Sequence, residues 1–298
     1  MKNNKIRKPI LVTGIHRSGT TFMGRMLSLD KQILYLWEPF QAGLKEKSNY
    51  GIFEYWFSYL EGQELLEDFK KFIYKYSRLH FSDVKDLKTR NMHKLKYRSN
   101  IVKRKIFNQL KINTYRYLFK DPISVLSTEW LYNNFQGLKV VLLIRNPVDF
   151  INSIKYRKWN LDFIDMYNQR SLMEKLPDKY ISQVEDYLSD RVDIINKGIL
   201  MWNIIYNQVL KWRDTYNHKW YFVRLEDLSN NIALFKDIYN FCELEYNTKI
   251  KNDILLYDSK FWARNTHLDK KFLLSEKEIG KIKDETYDIA SRFNYFLD

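Results

Sequence analysis

Cysteine is almost absent: Cys242 stands alone among 298 residues. A single thiol excludes an intramolecular disulfide and deprives any cysteine-based metal site of its ligands. The His, Asp and Glu residues show no metal-ligand spacing either, so no metal is expected. Long apolar runs are missing too, and none approaches the ~18 residues that cross a bilayer. The polar start Met1 to Lys8 is not followed by an apolar stretch with a small-residue cleavage site, and no Asn-x-Ser/Thr acceptor occurs. These absences describe a soluble, cytoplasmic chain. What is plentiful is core-forming material: hydrophobic residues make up 45% and aromatics 16%, which excludes disorder and suits one large α/β domain.

Acidic residues are scarce in one place. The formal net charge is +14, and between Lys70 and Lys120 sixteen basic residues meet only Asp83 and Asp86, so this stretch alone carries the whole excess. A solvated helical face is one explanation. The other is an anionic partner drawn in by the local field, such as an acidic glycan, a membrane surface or a nucleic acid.

Gly14-Ile15-His16-Arg17-Ser18-Gly19-Thr20-Thr21 has the glycine spacing of a triphosphate-binding loop but lacks its lysine, because Thr20 stands in the lysine position. Arg17 is the nearest cation. The flanks have the required order, with a buried-strand signal at Ile10 to Val12 and helical apolar spacing from Thr20 to Leu29. Unpaired amides and the positive dipole end at such a junction stabilise an anion, and the two glycines allow close approach.

The remainder alternates strands with helices. Strands are predicted at Ile33 to Leu36, Lys139 to Ile144 and Trp220 to Val223. Helices are predicted at Ile123 to Phe135, Val148 to Arg157, Arg191 to Tyr216, Ile232 to Phe241 and Ser275 to Phe296. Residues 45–119 read as an inserted helical, basic layer. This pattern implies an α/β fold in which a central parallel sheet is flanked by helices, with ligands gathered beyond the carboxyl ends of its strands. At one such end Arg145 leaves the strand Lys139 to Ile144, and Ser153 lies eight residues on, placed to meet a second phosphate.

Taken together, these residues resemble the sulfotransferases that use 3′-phosphoadenylyl sulfate. The first loop is similar to their 5′-phosphosulfate motif, and Val140 to Ser153 to their 3′-phosphate motif. Trp37-Glu38-Pro39 resembles the acidic segment of carbohydrate and tyrosylprotein members, and Val223 to Leu228 a recurrent late segment. The likeness covers about Ile10 to Pro39, Lys120 to Trp159 and Trp220 to Leu228, within one domain over residues 1–298.

The resemblance implies transfer of a sulfuryl group to an acceptor hydroxyl or amine, with no metal. Glu38 would be the general base and Arg17 the cation at the departing phosphate oxygen. Ser18, Gly19, Thr20 and Thr21 would hold the 5′ end, and Arg145 and Ser153 the 3′-phosphate. Lys120, in Lys120-Asp121-Pro122, is a candidate for the acceptor or sulfuryl oxygens, with an exposed strand-end lysine as the alternative. Trp262 and Arg264 are candidates for the adenine and the 3′-phosphate. His16 is weighed as a proton shuttle against a packing role, and Arg224, Glu226 and Asp227 read as a structural network. The acceptor is expected to be an anionic glycan or a lipid-linked saccharide, with peripheral contact to a membrane surface; nucleic acid is disfavoured. A kinase or nucleotide hydrolase fits the loop shape but not its missing lysine. A nonenzymatic nucleic-acid binder leaves Arg17, Glu38 and Arg145 without a role.

Overall fold

The computed structural model describes residues 8–40, 52–62, 65–78, 92–110, 115–189, 192–228, 231–257 and 273–296, without the side chains of residues 76 and 92–97. Five described strands, β1 (Ile10–Gly14), β2 (Ile33–Trp37), β3 (Arg116–Lys120), β4 (Lys139–Ile144) and β5 (Tyr221–Arg224), form one sheet in the order β2-β3-β1-β4-β5. All four pairings are parallel. Ile10 faces both Leu118 and Lys139, and Ile33 faces Arg116, so the strands end together on one edge.

Alternation along the strands divides the core in two. Leu11, Phe119, Val140 and Leu142 point to one face, where they pack with α5 (Pro147–Arg157), α6 (Ile194–Tyr216) and α8 (Glu276–Ala290). Ile10, Val12, Leu118, Val141 and Leu143 point to the other, against α1 (Thr20–Leu27) and α7 (Ile232–Phe241). Burial on both faces explains the unbroken apolar runs in β1 and β4, and each such side chain contributes about 1.5–3 kcal/mol. Helix starts follow local chemistry. Asn146 caps α5, accepting from the Val148 amide at 2.9 Å with Pro147 in the first turn, and Ser275 opens α8 with a capping box to Glu278.

The segment read as a helical layer is helical only in part. Helices α2 (Leu66–Tyr76) and α3 (Met92–Gln109) lie within it and α4 (Thr128–Asn134) follows it, but its end is β3, a strand in the interior of the sheet. Arg116 and Lys120 break the apolar signal there, and both are buried with partners. The Arg116 guanidinium donates to the carbonyls of Lys8 and Cys242, and the Lys120 ammonium meets Glu38. Residues 52–62 are not helical either, because side chains take their amides. Asp165 accepts from Trp56 N at 2.9 Å and Gln169 from Tyr59 N at 2.7 Å. No described helix is long and apolar enough to cross a membrane.

Candidate active site

The loop between β1 and α1 is shaped by backbone that favours glycine at two places. Gly19, with φ 87°, is the N-cap of α1, and a Cβ there would lie 2.4 Å from Leu225 Cδ1. A Cβ on Gly14, at φ 143°, would lie 2.3 Å from the Leu143 carbonyl oxygen. Both glycines therefore let the loop seat against β4 and the segment after β5, a packing demand beyond the ligand approach read from the sequence. Arg17 is itself left-handed, with φ 67°.

Inside this loop Ser18 is fully buried, and its hydroxyl oxygen has no partner among the described residues. Its amide donates to Ile15 O at 3.1 Å. The first turn of α1 has neither a side-chain cap nor an acidic residue, so its leading amides and dipole are left for an anion. Thr20 is buried and Thr21 half-buried at the same turn. An orphaned hydroxyl, an uncapped helix start and a guanidinium together fit the 5′ end of a phosphosulfate nucleotide.

The second strand end comes to the first. Arg17 Nε donates to Ser153 Oγ at 3.0 Å, and the Arg145 guanidinium donates to the Arg17 carbonyl. Burial first, and then the neighbouring Arg145 and Arg157 charges, lower the Arg17 pKa to about 10. The backbone that carries Arg145 is fixed from below. Tyr206 Oη accepts from the Arg145 amide at 3.1 Å, and Trp202 Nε1 donates to the Arg145 carbonyl at 2.9 Å. Glu226 accepts from the Asn146 amide at 2.9 Å and from Tyr295 Oη at 2.7 Å, while Arg224 binds Asp227 through two nitrogens. Trp202, Tyr206 and Glu226 hold the strand end, and Arg224 and Asp227 pair beside it.

Glu38 stands at the end of β2 with φ 43°, and its carboxylate pairs with the Lys120 ammonium from the end of β3. Lys120 is fully buried, so it is not the exposed strand-end lysine of the alternative reading; its Nζ also lies 5.1 Å from the centroid of the Trp37 ring. Desolvation lowers the Lys120 pKa, against the pull of Glu38. Next to it Asp121 is buried, with its pKa raised to about 7 by desolvation.

His16 packs among Trp56 at 5.1 Å, Phe57 at 5.1 Å and Trp159 at 5.5 Å. Desolvation by these rings, and then the charges of Lys120 and Arg17, lower its pKa to about 3. A neutral, caged imidazole suits the packing role rather than a proton shuttle. Trp56 and Trp159 form an aromatic wall around His16 and remain 40% and 36% exposed, while Trp37, 53% exposed, lies beside Lys120. Sequence reasoning missed this wall and Asp121. The Lys120-Asp121-Pro122 segment was the available signal for the latter.

Trp262 and Arg264 lie outside the described residues. Among the described residues no His, Cys, Asp and Glu side chains gather into a metal-holding group. A cavity of about 390 Å³ beside α6, with Tyr187, Asn203 and Glu285 in its lining, contains none of the residues above.

One solved structure shares this architecture, and a second is similar at a lower score. The sulfotransferase domain from the curacin biosynthetic pathway matches with 15% identity and a TM-score of 0.52, covering 98% of this chain and 99% of that one. The sulfotransferase domain from the Synechococcus PCC 7002 olefin synthase gives 17% identity and a TM-score of 0.49, with 98% and 96% covered. At these identities the likeness concerns the fold. Among curated proteins none matches the chain significantly. The sequence profile of the sulfotransferase family, by contrast, matches residues 9–248, from the strand before the loop to beyond the last strand of the sheet, and the chain belongs to that family.

Proposed function

We propose that the protein transfers a sulfuryl group from 3′-phosphoadenylyl sulfate to a hydroxyl or amine of an acceptor, with Glu38 as general base. When bound, the nucleotide supplies an activated sulfuryl group on a good leaving phosphate. The observation that supports this reading most is the union of Arg17, Arg145 and Ser153, which fits a nucleotide anionic at two ends.

The chain's own residues then have defined tasks. Ser18, Thr20, Thr21 and the first amides of α1 bind the 5′ end, with Gly19 shaping the turn. Arg145 and Ser153 bind the 3′-phosphate, with Arg264 proposed as a further contact to it and Trp262 as a contact to the adenine. Glu38 takes the acceptor proton as the acceptor oxygen bonds to sulfur; the bond from sulfur to the bridging oxygen breaks, and the electron pair leaves on the phosphate. Arg17 stabilises that charge, and Lys120 holds Glu38 while facing the sulfuryl oxygens. Donor and acceptor meet already oriented, which accounts for much of the rate.

We read the acceptor as a glycan or lipid-linked saccharide. The exposed indole faces of Trp37, Trp56 and Trp159 suit the apolar face of a sugar ring, and the basic stretch between Lys70 and Lys120 suits acidic groups on it or on a membrane surface.

Thermal unfolding tests the donor. 3′-Phosphoadenosine 5′-phosphate at micromolar concentration is expected to raise Tm, while ATP with magnesium is not. A ligand at a hundred times its Kd adds about 2.7 kcal/mol of stability. Stabilisation by ATP with magnesium alone overturns the reading.

A further inference from the structure

We propose that Asp121 is a positioning residue for sulfuryl transfer, pinning the turn that presents Glu38 to Lys120. The proposal rests on Glu38 as the base.

Asp121 is fully buried just past β3, and its main chain is fastened to β1. Its amide donates to Val12 O at 3.0 Å, and its carbonyl accepts from Thr13 Oγ1 at 2.8 Å and from Ser124 Oγ at 2.8 Å. From this anchored base the carboxylate reaches two other segments. Oδ2 accepts from the Phe40 amide at 2.8 Å, and Oδ1 from the Ile123 amide at 3.1 Å.

Phe40 closes the turn that begins at Glu38. Glu38 is held in the left-handed region, which costs a residue with a side chain on the order of 1 kcal/mol or more and persists only where the surroundings impose it. Two hydrogen bonds impose it here. The Glu38 amide donates to Lys120 O at 2.7 Å, and two residues later the Phe40 amide is taken by Asp121. Residues 120 and 121 thus grip both ends of the turn, while the Lys120 side chain holds the Glu38 carboxylate.

The chemistry of the side chain matters as well as its place. Burying a carboxylate is costly, and an Asn of the same shape would avoid the charge. It would, however, offer one acceptor oxygen to two amide donors and turn an NH₂ group toward one of them. The charged groups around Asp121 are Glu38 from the end of β2 and Lys120 beside it; Lys120 in turn faces Arg25 from α1 and His16 from the loop.

Hydrolysis of 3′-phosphoadenylyl sulfate provides the test, with water as acceptor so that no natural acceptor is needed. Water oxygen bonds to sulfur, its proton passes to Glu38, and 3′-phosphoadenosine 5′-phosphate leaves. Asp121→Asn should lower this turnover about tenfold or more while the product's Kd, measured by calorimetry, changes less than about twofold. On a Glu38→Gln background the same substitution should cost less than about twofold, because Asp121 acts through Glu38. An equal loss on both backgrounds overturns the proposal, as does a loss of product affinity or no loss at all. If Asp121→Asn does not fold, amide exchange in the unmutated protein decides: protection of Phe40 N–H comparable to that of β1 supports the pin, and exchange at a free-peptide rate overturns it. Failure of the unmutated protein to bind the product overturns the donor reading and this proposal together. Product binding with additive losses overturns the positioning role alone.

Discussion

Arg17 Nε and Ser153 Oγ are hydrogen-bonded at 3.0 Å, so a side chain of the first loop and one from the second turn of α5 share one polar contact. The residues lie 136 positions apart in the chain but beside each other at the sheet edge, because β1 and β4 are neighbours. With the proposed donor, binding at either end of the nucleotide would rearrange or reinforce the same contact. The Arg145 guanidinium, on the Arg17 carbonyl, adds a second link between the two ends.

Arg145→Ala should consequently weaken 3′-phosphoadenosine 5′-phosphate more than adenosine 5′-monophosphate. A charge-assisted contact to phosphate contributes about 1.5–3 kcal/mol, or roughly tenfold to a hundredfold in Kd. Calorimetry with both nucleotides checks this. Equal weakening of the two would place Arg145 at the 5′ end, and unchanged binding would remove it from the site.

Glu38→Gln should leave product binding within about twofold and lower turnover by about a hundredfold, the usual range for a lost general base. Gln keeps the shape and an acceptor for the Lys120 ammonium but cannot take the proton. Single-turnover transfer of labelled sulfuryl group measures it. A rate near that of the unmutated protein would assign the base to another group.

How far these residues were readable from sequence follows from where their information lies. β1, α1, β2, β4 and α5 announce themselves locally, through buried runs, glycine spacing and a proline at the helix start, and Arg17, Glu38 and Arg145 sit at their ends. β3 does not, because Arg116 and Lys120 look like surface charge until the carbonyls and the carboxylate that receive them are in place. Residues 52–62 misled for a related reason: their aromatics have helical spacing, yet Asp165 and Gln169, more than a hundred residues away, claim their amides. Asp121 is legible as a short motif but not as a clamp, since its partners Phe40 and Ile123 are united only by the fold.

The aromatic wall gives an expectation on the acceptor side. Trp56→Ala and Trp159→Ala should raise the acceptor KM several-fold, since stacking on an exposed ring contributes about 0.5–1.5 kcal/mol, while the donor KM stays level. Both rings pack against His16. Initial-rate kinetics with each substrate varied in turn separates the two. A change confined to the donor would move the wall to the nucleotide.

His16 makes the fold sensitive to acid. Its folded pKa, about 3, lies below its ordinary value of 6.5, so the unfolded chain binds the extra proton first. Stability from this group is then complete above pH 6.5 and falls progressively as pH drops toward 3. Asp121 acts in the opposite direction, because a carboxyl with its pKa raised to about 7 favours the folded state more as pH falls from there toward its ordinary 3.8. The comparison must therefore be made within one background. His16→Phe keeps a ring against Trp56, Phe57 and Trp159 but has no proton to gain, and Asp121 is unchanged in it. Tm measured from pH 7 to pH 4 should fall more steeply for the unmutated protein than for His16→Phe. Parallel curves would mean that His16 leaves its cage or is charged within it.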